Sequence, residues 1–95
     1  MNGVSKIRDW LNEHGIQMEY DEYQQYRYSD NFHISSTFNV DCWRLSDGLF
    51  LKVKCRGKAM YYLCENRDSL RTVDGVLGFS QDMFIGELER FYCKE

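Results

Sequence analysis

Residues 32–64 read FHISSTFNVDCWRLSDGLFLKVKCRGKAMYYLC, and this stretch decides the fold. Phe32 to Leu45 alternates like a strand: Phe32, Ile34, Phe38, Val40 and Cys42 share one parity, and His33, Ser35, Thr37, Asn39 and Asp41 the other. An apolar side and a polar side of this kind describe a half-buried strand. The parity fails at Trp43 and Leu45, which predicts a bulge or a twist there. Ser46-Asp47-Gly48 is a hairpin turn signal. After it, Leu49, Leu51, Val53 and Cys55 are expected to face inward, and Phe50, Lys52, Lys54 and Arg56 outward. Arg56-Gly57-Lys58 makes the next turn, and Ala59–Cys64 forms the third strand of a meander. Both faces of that strand are apolar, so it is central or has its second face covered by a helix.

Helices are expected at both ends. Val4, Ile7, Trp10 and Leu11 recur at helical spacing, which predicts a helix over 5–14 with Ser5 as N-cap. Gly15 then suits a left-handed ending, with Ile16 touching Leu11. At the other end Ser80 caps a helix to Tyr92. Phe84, Leu88, Phe91 and Tyr92 make its apolar stripe, and Phe79 is placed to staple onto Phe84.

Two segments read less directly. Ile16, Met18 and Tyr20 alternate and predict a short strand over 16–20. Tyr20, Tyr23 and Tyr26 then recur at helical spacing, which leaves 21–28 open between strand, helix and loop before a turn at Ser29-Asp30-Asn31. Past a polar loop at 65–69, Leu70, Val73, Val76 and Leu77 predict a short helix stopped at Gly78. The competing reading is a hairpin turned at Asp74-Gly75. The expected architecture over residues 1–95 is one compact α+β domain: an N-terminal helix, an antiparallel β-meander of three to four strands, and a C-terminal helix packed on one face of the sheet.

The charge is segregated. Residues 1–43 hold three basic and seven acidic side chains, residues 44–71 seven and three, and residues 72–95 two and five. Two candidate surfaces of opposite sign follow. The first is acidic and Tyr-rich, and assigns Tyr20, Asp21, Glu22, Tyr23, Tyr26 and Tyr28 to partner contact, since Tyr offers a rigid contact area and a hydroxyl. The second is an outward basic sheet face of Phe50, Lys52, Lys54, Arg56 and Lys58 with Trp43, which could hold phosphates and stack bases. An overall charge of −3 opposes long-range attraction to nucleic acid, so the protein surface is preferred.

No Gly-rich phosphate loop, H-E-x-x-H or G-x-S-x-G is present. Cys42, Cys55, Cys64 and Cys93 form no C-x-x-C and read as reduced thiols; with His14 and His33 they fit no common zinc spacing. His33 lies on the parity opposite Cys42, which disfavours a Cys–His pair. No metal, cofactor or catalytic group is therefore expected. The 95 residues contain no apolar run of membrane-span length, so a cytoplasmic protein without a membrane partner is expected. The function that follows is a small acidic protein-binding module, an inhibitor of a host protein or nucleoprotein complex. In size and charge alone it is similar to the compact inhibitors of phages and mobile elements, such as anti-CRISPR and anti-restriction proteins. A nucleic-acid- or nucleotide-binding domain is the alternative. An exposed strand edge and a Tyr-rich face also invite a homodimer.

Overall fold

In a computed structural model, residues 3–29 and 35–93 are described. The order is α1 (Ser5–Glu13), β1 (Met18–Ser29), β2 (Ser35–Leu45), β3 (Phe50–Lys54), β4 (Tyr61–Cys64), β5 (Thr72–Gly78) and α2 (Gln81–Tyr92). The strands form one antiparallel sheet in chain order, β1-β2-β3-β4-β5. The α+β class and both terminal helices match expectation; the meander has five strands instead of three to four. The predicted turn at Asp30-Asn31 and the strand start at Phe32–Ile34 lie outside the described residues.

Strand parity assigns the two faces. Trp43, Leu45, Leu51, Val53, Tyr61, Leu63 and Val76 form one buried cluster with Ile7, Trp10 and Leu11 of α1 and Phe84 and Leu88 of α2. This is the helix-covered face. The register Trp43↔Leu51↔Leu63 runs through it without a shift. The expected irregularity at Trp43 is therefore absent from β2. The bulge sits in β1 instead, where the register jumps between Tyr20 and Glu22 and leaves Asp21 extra. The parity of β2 fails because both of its faces are buried there: Cys42 and Val40 on one side, Trp43 and Leu45 on the other.

The helix ends follow local rules with one tertiary substitution. Gly15 has φ 77°. Its N–H donates to Asn12 O at 3.1 Å, and Ile16 N–H to Leu11 O at 2.8 Å, the paired bonds of a Schellman ending. At the other end of α1, Val4 is the cap and no side chain of its own segment caps the helix. Gln81, from the start of α2, does so: its Oε1 accepts from Lys6 N at 2.9 Å and Ile7 N at 3.4 Å. Ser80 Oγ caps α2 by accepting from Met83 N at 3.1 Å. Phe84 is buried as expected, whereas Phe79 stays 54% exposed.

The helix expected over 70–77 is strand β5. Asp74 and Gly75 have φ of 50° and 67°, a left-handed pair that suits Asp-Gly and interrupts a helix. The pairing jumps from Tyr62↔Leu77 to Cys64↔Thr72, so the pair forms an outward kink within a strand. Arg90 Nη2 donates to Asp74 O at 3.0 Å and ties this kink to α2.

Gly78 marks where α2 crosses β5. A Cβ there would lie 2.6 Å from Phe84 N and 2.7 Å from its Cα. Gly86, within α2, has open space around it. Gly78→Ala is expected to destabilise by about 2–3 kcal/mol and to lower Tm by roughly 10–20 °C. Gly86→Ala should stabilise by about 0.5–1 kcal/mol. Thermal melts followed by circular dichroism check both signs.

Candidate functional site

Opposite the helices, the second sheet face carries Glu22, Cys42, Lys52 and Tyr62 in one register row. Lys52 was expected to point into water. It is instead fully buried, at 0% exposure. The chain between β4 and β5 lies over it, and its Nζ donates to Arg67 O at 2.6 Å, Ser69 O at 2.5 Å and Tyr26 Oη at 2.9 Å. Burying an ammonium costs several kcal/mol unless its protons are received, and these acceptors receive all three. Burial still pushes the Lys52 pKa down.

The network continues into β1. Tyr26 Oη donates to Gln24 Oε1 at 2.7 Å, and Gln24 Nε2 donates to Glu22 Oε1 and Arg67 O, each at 2.7 Å. The Arg67 guanidinium closes it from outside, 2.7 Å from Asp21 Oδ2 and 3.1 Å from Glu22 Oε2. Arg67 donating to Asp21 holds that carboxyl below its usual range. The bulge at Asp21 gives this carboxylate its reach. Gln24, Arg67 and Ser69 carried no signal in the sequence. The available clue lay beside Lys52: its register partners Cys42 and Tyr62 are apolar, which a solvated face would not favour.

The predicted contact residues therefore divide. Tyr20 and Tyr23 are 50% and 61% exposed. Tyr20 Oη donates to Asp41 Oδ1 at 2.7 Å, and its ring stands edge-on to Trp43 at 5.4 Å. Asp41, expected to face water, is buried beside it and also accepts from Cys55 Sγ at 3.4 Å. Asp21 and Glu22 serve Arg67, and Tyr26 serves Lys52. Tyr28 pairs with Ser36 in the strand, and its side chain lies outside the described residues.

The basic set divides as well. Trp43 is buried on the helix-covered face, and Phe50 is half-buried on the opposite one. Lys54 is half-buried with its Nζ 5.9 Å from the Phe38 ring centroid. Arg56 and Lys58 are exposed, past the end of β3. Strand parity placed Lys52 and Lys54 on one face correctly, but the 65–71 connection covers the Lys52 end of it. The shared open basic surface does not form.

What stands open is a ribbon. β3 pairs with β2 only over Val40–Arg44, whereas β1 and β2 continue to pair from Gln25↔Asn39 out to Ser29↔Ser35. The molecule measures 44 Å by 25 Å by 22 Å. Tyr26 stacks on Phe38 at 5.9 Å across the base of this two-stranded arm. A cleft of about 610 Å³ opens beside β2 where β3 stops, lined by Thr37, Phe38, Asn39, Lys54, Arg56 and Gly57 among others.

Cys42 and Cys64 are buried on the Lys52 side, and Cys55 is half-buried; Cys93 is exposed. Burial pushes the first three thiols up to about 11, the opposite of nucleophile activation. His14 stacks on Trp10 at 3.8 Å, its Nδ1 2.8 Å from Trp10 O. Among the described residues no three His, Cys, Asp or Glu side chains are grouped to hold a metal ion, and no helix is long and apolar enough to cross a membrane. No family model matches the chain, and neither a curated protein nor a solved structure matches it.

Two outcomes follow. Lys52→Met leaves the Arg67 and Ser69 carbonyls without their donor. Amide exchange over 66–70 should rise at least tenfold while β2 and β3 stay protected; unchanged exchange there contradicts the holding of this connection by Lys52. The second concerns alkaline pH. Three thiols are raised from 9.0 to about 11, and Tyr20 and Tyr26 from 10.0 to about 12. The folded chain keeps these protons to higher pH than the unfolded chain, so stability falls as pH rises from about 9 to 12. Tyr61, Tyr62 and Tyr92 are raised as well, so Lys52, with its pKa lowered, is one group of opposite sign against eight. Tm should drop steadily above pH 9, and Cys42→Ala with Cys64→Ala should flatten the drop.

Proposed function

We propose that the chain is a protein-binding module whose contact element is the outer edge of β1 together with the β1–β2 ribbon that continues it. One observation carries this reading: the longest strand, β1, is a sheet edge that runs past the body of the molecule with Tyr20 and Tyr23 exposed on it. Protected edges carry Lys, Pro or kinks. β1 has no Lys and no Pro, and from Glu22 to Ser29 its pairing is regular. β5, the other edge, is kinked at Asp74-Gly75.

Electrostatics favour the ribbon over the acidic charge itself. Asp21 and Glu22 are paired with Arg67, so the contact energy falls to Tyr surface and main chain. Arg67 also anchors the ribbon base to the 65–71 connection, which reduces the ordering cost when the arm meets a partner. Occlusion of a protein or nucleoprotein target is the matching mode of inhibition.

The test uses Tyr23→Ala with Gln25→Ala, two exposed positions on one side of β1. Phe79→Ala, an exposed aromatic far along the chain, is the control. A target captured on the wild-type chain is purified, and its affinity is measured by calorimetry. The ribbon variant is expected to lose at least tenfold in Kd with Tm within about 2 °C of wild type, and the control to lose less than twofold. Equal affinity in the ribbon variant overturns the proposal.

A further inference from the structure

We infer that the cleft beside β2 is a strand-addition site for an extended acidic peptide segment. The inference rests on the ribbon being the binding element and names what one of its edges takes. Cys55 N–H donates to Asn39 O at 3.0 Å, the last backbone bond from the β3 side onto β2. In an antiparallel strand a residue's N–H and C=O point the same way, and the direction alternates along the chain. Asn39 faces the β3 side, so Thr37 does too, two residues further along a strand where β3 has already ended. The main-chain groups of Thr37 thus border the cleft of about 610 Å³, the lane a longer β3 would have filled.

The cleft wall supplies two further features. Asn39 Oδ1 is buried without a hydrogen-bond partner, an acceptor in need of a donor N–H. The opposite wall is the end of β3 and the turn that follows it, with Lys54, Arg56 and Gly57 on the cleft. Arg56 and Lys58 are exposed in this turn, and no acidic residue lies between Gly48 and Cys64. An extended backbone satisfies Thr37, its amide or a side-chain amide reaches Asn39, and a carboxylate meets the exposed Arg56. A nucleic acid would satisfy the cations but not the strand edge.

The full chain, labelled with nitrogen-15, is titrated with a capped seven-residue peptide of alternating Thr and Glu. Parallel titrations use the same peptide with Lys for Glu, the acidic peptide N-methylated along one edge, inorganic phosphate, and a single-stranded oligothymidine. The acidic peptide is expected to shift the amides of Thr37, Cys55 and Gly57. Its Kd should be at least tenfold lower than that of the Lys peptide or the N-methylated peptide. Arg56→Glu should weaken it at least tenfold, and Arg56→Gln by less. Phe79→Ala, remote from the cleft, should leave this binding intact. The inference is overturned if phosphate or the oligonucleotide binds as tightly as the peptide at those amides. Indifference to N-methylation, or no shift at the cleft, overturns it equally. Should the cleft fail while the Tyr23 variant still loses its target, the module stands and the peptide site does not.

Discussion

A buried ammonium organises the side of the sheet that the helices leave bare. Both helices pack on one face, and a sheet of apolar strands needs cover on the other. Here the cover is a polar connection, residues 65–71, and a polar connection cannot be held by hydrophobic burial alone. Lys52 holds it. Its protons engage two main-chain oxygens of the connection and a Tyr of the edge strand, so one side chain links β3, the loop and β1. Cys42 and Cys64 fill the space around it and keep water out. The arrangement demands that every polar partner be present, since a half-satisfied buried charge is worse than none.

The same network sets the geometry of the ribbon. Tyr26, Gln24, Glu22 and the bulged Asp21 are all on β1, and all are drawn to Lys52 or Arg67. They spend the acidic charge of the segment internally. Tyr20 and Tyr23 lie on the opposite side of β1, exposed at the sheet edge. On the proposed reading, holding the base of the arm lowers the cost of ordering it when a partner binds.

Other polar side chains bridge elements in the same way. Gln81 closes the start of α1, Arg90 the kink of β5, and Tyr92 donates to Asp47 in the β2–β3 turn. Each contact joins residues distant in sequence. The Pro-free chain thus gains rigidity from side chains that bridge elements.

Alternation and capping in the sequence were enough for the two helices, the three central strands and the Gly15 and Ser80 ends, because these depend on neighbours within four or five residues. Alternation also separated Lys52 and Lys54 from Leu51 and Val53. It could not say what covers each parity, because that is decided by where residues 65–71 return in space. For this reason Lys52 read as a surface cation and Asp41 as a solvated acid, although both are buried. The helix expected over 70–77 yielded to a strand because pairing with β4 outweighs a helical periodicity interrupted by Asp74-Gly75. The edge of β1 and the cleft beyond β3 are likewise properties of register and strand length. They exist only once the strands are laid side by side, since a free edge is defined by the neighbour that is missing.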